Sequence, residues 1–162
     1  MLRPLTNTFG FETNCFVCDP GNRAGLRVPF FLDEEHQTVL ATVRLGTDFS
    51  GAPTLVHGGV LAALCDDALA WASIVLARRF ALTAESRLRY LEPVPCDREF
   101  TVSARVIGLL DEQIWATSEI RIGETVHVRA EARLTVLGGE LAAGMGVLTD
   151  EQGSVPDQAA PR

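Results

Sequence analysis

Val56-His57-Gly58-Gly59-Val60-Leu61-Ala62-Ala63-Leu64-Cys65-Asp66-Asp67-Ala68-Leu69-Ala70-Trp71-Ala72 begins as a His-Gly-Gly turn and continues into good helix formers without an interior glycine or proline. The pattern predicts a helix from about Gly58 to Arg79. Almost every position around it is Val, Leu, Ala, Ile or Trp, so it is not a one-sided surface helix and must be enclosed by other structure. Yet it carries two acids, Asp66 and Asp67, which cost desolvation free energy in such a setting and persist only when paired or functional.

The flanking sequence supplies the enclosure. Before the helix, Leu26 to Leu32 is apolar and strand-like, Asp33-Glu34-Glu35-His36-Gln37 is a polar turn, and Thr38 to Leu45 alternates, which predicts a hairpin. Gly51-Ala52-Pro53 ends the irregular link into the helix. After it, Ala81 to Leu91, Glu99 to Leu109, Gln113 to Ile122 and Thr125 to Val136 are rich in alternating Val, Ile, Thr and Arg. The breaks between them, at Pro93-Val94-Pro95, Leu110-Asp111-Glu112 and Gly123-Glu124, are too short for parallel crossovers and predict antiparallel neighbours. The class is α+β, with one domain over residues 1–137 built as a long central helix wrapped by an antiparallel sheet. Gly138 to Arg162, rich in Gly, Ala, Asp, Gln and Pro without period, reads as a flexible tail.

Composition narrows the function classes. The formal net charge is −7 and every basic residue is Arg, so a general nucleic-acid binder is not expected. The N-terminus lacks an apolar export signal, and the strongest hydrophobic run, Val60 to Ala77, is interrupted by Asp66 and Asp67. A cytoplasmic protein without a membrane partner is expected. Cys15, Cys18, Cys65 and Cys96 are then reduced thiols. Cys15-Phe16-Val17-Cys18 invites a zinc or redox reading, but no second pair lies at finger-like spacing, and Asp19-Pro20-Gly21-Asn22 after it reads as a turn rather than a helix start. The expectation is buried turn cysteines, no metal and no cofactor.

The helix carries the candidate chemistry. Gly58 and Gly59 leave N–H groups unpaired at its positive end, a place that holds an oxyanion, although the same glycines also serve close backbone packing. Asp66 has small neighbours at helical spacing, Ala62, Ala63, Leu69, Ala70 and Ser73, which leave room for a substrate beside it, with Ser73 as a contact. Asp67 faces Leu64 and Trp71 instead and is expected to be structural, bonded to a loop backbone or an Arg. His57, at the helix N-terminus, is expected as a neutral hydrogen-bonding ring that orders the loop or orients a substrate. Eight residues separate Gly58 from Asp66, about 12 Å along a helix axis, so one reacting carbonyl cannot touch both. If both act, the donor and the acid come from different subunits of a two-fold assembly.

Three separated stretches carry a family resemblance. Asn14-Cys15-Phe16-Val17-Cys18 followed by Asn22, Gly25 and Leu26, His57-Gly58-Gly59 with an acid nine positions after the His, and Arg89-Tyr90-Leu91-Glu92-Pro93-Val94 occur in this order. Together they resemble the hotdog-fold acyl-CoA thioesterases, in particular the phenylacetate-pathway branch, over roughly residues 14 to 136. The resemblance implies a hotdog fold, acyl-CoA as substrate, and homodimers that often pair into homotetramers. It implies Asp66 as general base or nucleophile, and Thr83 where relatives carry a Ser or Thr that positions the attacking water. The family often has Asn and Gly where this chain has Gly51 and Thr54. Arg78, Arg79, Arg87, Arg89 and Arg98 cluster in an otherwise acidic chain, and Arg87 and Arg89 are candidate contacts for the phosphates of coenzyme A, with solvated sheet arginines as the alternative. An acyl-CoA or acyl-carrier binding protein without catalysis is a second reading. A hotdog dehydratase or hydratase is a third, but its Asp and His hydration pair is not evident.

Overall fold

In the computed structural model, residues 1–7, 13–147, 149, 154 and 155 are described. Seven antiparallel strands form one sheet in the order β1(Leu2–Pro4), β2(Phe31–Asp33), β3(Thr38–Arg44), β7(Glu99–Leu110), β8(Gln113–Ile122), β9(Thr125–Val136), β6(Ala81–Tyr90). Two further short strands, β4(Ser50–Ala52) and β5(Leu55–Val56), pair with each other just before the helix α1(Gly58–Val75). The helix lies against β3, β7, β8, β9 and β6, which is the α+β arrangement expected of a helix without a polar face.

Strand periodicity builds the core. In β8 the alternate residues Ile114, Ala116, Ser118 and Ile120 are buried, and with Val102, Val128 and Leu134 they meet Leu64, Ala68 and Leu69 of the helix. Within α1 only Gly59 and Asp66 are exposed. By length and composition α1 could cross a membrane, but half of it is buried inside this fold.

Several boundaries differ from expectation. The helix ends at Val75 rather than Arg79, because Arg78 adopts a left-handed φ of 58° while the Arg79 N–H reaches back to the Ser73 carbonyl at 3.1 Å. That is a helix stop of the kind glycine usually provides. Of the apolar run Leu26 to Leu32, only its last two residues enter β2; Leu26 and Val28 instead bond to the carbonyls of Phe16 and Val17 at 2.8 Å each. The proline-bounded break was expected to make β6 and β7 neighbours, but β6 pairs with β9 and β7 with β3. Residues 91–98 cross the end of the sheet, held by Leu91 and Glu92 N–H on the His127 carbonyl, Val56 N–H on Val94, and Cys96 N–H on Thr54. Prolines suit that path because they have no ladder donor to lose.

Strand β6 is thus a sheet edge. Its register against β9 shifts between Thr83 and Glu85, leaving Ala84 as a bulge. Beyond the sheet, the short helix α2(Gly139–Gly144) follows, and Val155 is fully buried with its N–H on the Arg78 carbonyl at 3.0 Å.

Candidate active site

At the start of α1, His57 is the N-cap residue, and its Nδ1 accepts the Gly59 N–H at 2.8 Å. One of the two glycine donors expected for an oxyanion is therefore already used by the histidine ring. The Gly58 N–H has no partner among the described residues and remains open. Tyr90, from the far end of β6, donates its hydroxyl to the Gly58 carbonyl at 3.0 Å. Burial holds its phenol above the ordinary value, so it stays a donor. These groups border a cavity of about 400 Å³ that also takes in Gly51, Val56, Leu61 and Pro93.

The loop before the helix accounts for one of the two departures from the family pattern and leaves the other strained. A side chain at Gly51 would come within 2.8 Å of the His57 ring, so glycine there lets imidazole and backbone pack together. Thr54 has φ 66°, the left-handed region in which the family's glycine is at ease and a β-branched residue is strained.

Asp66 stands further along the helix, exposed, and its Oδ1 accepts the Thr83 hydroxyl at 2.7 Å. The structure thus brings together these two sequence-predicted residues, 17 positions apart. A separate hollow of about 250 Å³ adjoins them, lined by Ala62, Ala63, Leu69, Ser86, Leu88 and Ala130. Three of the small neighbours expected to leave room, Ala62, Ala63 and Leu69, do line it. Ser73 does not: it is fully buried and its hydroxyl donates to the Ala70 carbonyl at 2.8 Å, so it has no surface with which to contact a substrate. On one chain the Gly58 cavity and the Asp66 hollow share no residue.

The desolvation expected of Asp66 falls on Asp67. Burial, reinforced by the charge of Cys15, pushes the Asp67 carboxyl up to about 8. Its partner is neither backbone nor arginine: the Cys15 Sγ lies 3.2 Å from Oδ1, while Oδ2 is buried without a hydrogen-bond partner among the described residues. Cys15 is pushed down, by the Cys18 thiol first and by backbone N–H groups, and Cys18 is pushed up, by Cys15 and by burial. Asn22 holds this turn, donating to the carbonyls of Asn14 at 3.0 Å and Cys15 at 3.4 Å. A side chain at Gly25 would come within 2.6 Å of the Phe16 carbonyl. The N-terminal signature residues are therefore the scaffold of the cysteine turn.

The arginines have separate surroundings. Arg87 shares a hollow with Glu85, Trp115 and Arg133, and Arg89 pairs with Glu131 at 3.0 Å. Both project from the face of β6 opposite the one that carries Thr83, Ser86 and Leu88, away from Asp66 on the same chain. Arg78 Nε donates to the Val155 carbonyl at 2.8 Å and Arg79 to the Ser154 hydroxyl, so these two hold the C-terminal segment. Among the aromatics, Phe30 and Trp71 are core and Phe16 is exposed. In the sequence Tyr90 is one residue of the Arg89-to-Val94 motif; the signal that singles it out is its register position, facing the helix at the end of β6.

Residues 54–112 match the Thioesterase superfamily. A solved thioesterase superfamily protein is 28% identical, with a TM-score of 0.67, over 73% of this chain and 57% of its own length. This chain therefore spans a little over half of that relative. The PaaI protein from the phenylacetic acid degradation operon of E. coli is 18% identical, with a TM-score of 0.59, over 70% of this chain and 77% of its own. Smu.793 of Streptococcus mutans, solved bound to acetyl CoA, is 18% identical, with a TM-score of 0.60, over 63% of this chain and 82% of its own. No curated protein matches the sequence. The resemblance to hotdog thioesterases holds, both in the fold and in the segment from Thr54 to Glu112 that contains the helix.

Proposed function

We propose that this chain, a hotdog-fold protein with a thioesterase superfamily segment, hydrolyses an acyl-CoA to the free acid and CoA, in a site shared across a two-fold interface. The observation that carries the reading is the bond from Thr83 to Asp66, the one exposed side chain of α1. With the Thr83 hydroxyl on Oδ1, the second carboxylate oxygen is left for a water. Acting as general base, Asp66 takes the proton as water oxygen bonds to the thioester carbonyl carbon; the C–S bond then breaks and CoA leaves as the thiol. Acting as nucleophile, the same carboxylate would form a mixed anhydride that water opens. In either course a carbonyl oxygen becomes an oxyanion, and the open Gly58 N–H suits it, a contribution of about 3 kcal/mol in comparable sites.

Two features support a shared site: the distance along one helix between Gly58 and Asp66, and the outer edge of β6, ten residues long, free of proline and without a strand partner among the described residues. A second copy pairing along that edge would bring its own Gly58 cavity toward this Asp66. The experiment is a panel of short, medium, long and aromatic acyl-CoAs, with free CoA read by chromatography because thiol reagents would also report the protein's own cysteines. Turnover on at least one member, abolished in Asp66→Asn, is expected. No turnover on any member, or a wild type equal to Asp66→Asn, overturns the enzyme reading in favour of acyl-CoA binding without hydrolysis.

A further inference from the structure

The cysteine turn lies outside the chemistry proposed for Asp66 and Gly58, and its geometry is that of a ligand set. The donor atoms of Cys15, Cys18 and Asp67 all lie within 4.8 Å of one another. A tetrahedral zinc with ordinary Zn–S and Zn–O bonds holds such atoms about 3.6–3.8 Å apart, a contraction within reach of side-chain rotation. The backbone N–H groups of Val17 and Cys18 each point at Cys15 Sγ, at 3.4 Å. That is the arrangement that orients a thiolate and disperses its charge behind a metal. The third donor comes from 49 positions beyond Cys18 in the sequence, on the second turn of α1 past the Gly-Gly start, where spacing motifs confined to the cysteines could not reveal it.

We infer that Cys15, Cys18 and Asp67 bind a thiophilic divalent cation, zinc being the best match, with no fourth ligand among the described residues. The orphaned Asp67 Oδ2 argues for a cation over a simple dithiol. A buried acceptor without a partner costs free energy that a metal bond removes. Oxidation of Cys15 and Cys18 to a disulfide would not help, since a disulfide has no proton to share with Oδ1 and brings Oδ2 no partner. The donor set of two thiolates and one carboxylate also suits zinc in preference to magnesium or calcium, which select oxygen. A bound ion would tie the loop from Thr13 to Val28 to the central helix next to Asp66. It revises the expectation, drawn from cysteine spacing alone, that the chain holds no metal.

The test uses the full chain, reduced and stripped with a chelator, then titrated with zinc against a chromophoric competitor. One zinc per chain is expected, with affinity lowered about tenfold or more in Cys18→Ser and in Asp67→Asn. Cobalt substitution reads the wild type directly, independent of whether a variant folds: a thiolate-to-cobalt charge-transfer band with tetrahedral ligand-field absorption is expected. Wild-type protein that takes up no more zinc than Cys18→Ser overturns the inference. So does a cobalt complex without thiolate absorption, or a reduced chain that forms the Cys15–Cys18 disulfide with glutathione disulfide while binding no metal.

Discussion

Two backbone positions in the loop and helix start make separable predictions. Gly58 is the first residue of α1, and the preceding His57 has φ −61° and ψ 132°, a conformation that also suits a residue before proline. Proline is tolerated at that first helical position, and a side chain there would first meet the Tyr90 ring, at an ordinary contact distance of 3.5 Å. Gly58→Pro should therefore remove the open N–H with the helix intact, lowering kcat by about 10²–10³-fold while circular dichroism is unchanged. A fully active Gly58→Pro would exclude that donor. Thr54 is exposed and left-handed, with little packing to lose. Thr54→Gly should stabilise by about 1 kcal/mol, the relief of left-handed strain less the added chain entropy, or about 2–4 °C in Tm. An unchanged or lower Tm would show that the strain is absorbed elsewhere.

At the scale of elements, the four long strands were legible almost to the residue because their alternation is set by one buried face. The helix start was legible from His-Gly-Gly. The helix end was not, since Arg78 takes the left-handed stop without the glycine that would mark it. Nor was the partner of Asp67, because Cys15 lies 52 positions away and only tertiary packing joins them. The position of β6 was missed for a similar reason: a short link predicts neighbours unless its bonds are made elsewhere, as those of residues 91–98 are. Strand pairing also fixes an acid-sensitive contact. Glu119 on β8 faces Arg129 on β9, with Arg129 on Oε1 at 2.8 Å and Arg121 on Oε2 at 2.9 Å. Burial raises its carboxyl, but the two arginines outweigh burial and hold it below its ordinary value of 4.5. A depressed folded-state value stabilises the fold above 4.5, and that contribution is lost as pH falls through the lower folded value. The decline of Tm below about pH 4.5 should thus be shallower in Glu119→Gln than in wild type; equal slopes would count against the pair.

For the whole molecule, the decisive property is that the Gly58 cavity and the Asp66 hollow are separate on one chain. If each site takes one end from each copy, Gly58→Pro and Asp66→Asn complement each other. Random reassembly of an equal mixture yields one-half hybrid dimers, each with one intact site of two, so about one-quarter of wild-type activity should return. Mixing that restores nothing, with exchange verified by native mass spectrometry, would put the complete site within one chain.

The bulge at Ala84 has a consequence of parity. Thr83 and Tyr90 are an odd number of positions apart, and in an unbroken strand an odd separation sends two side chains to opposite faces. Here both face α1, Thr83 on Asp66 and Tyr90 on Gly58, because the extra residue between Thr83 and Glu85 shifts the count by one. Remove Ala84 and the strand can keep faith with one end of the helix only.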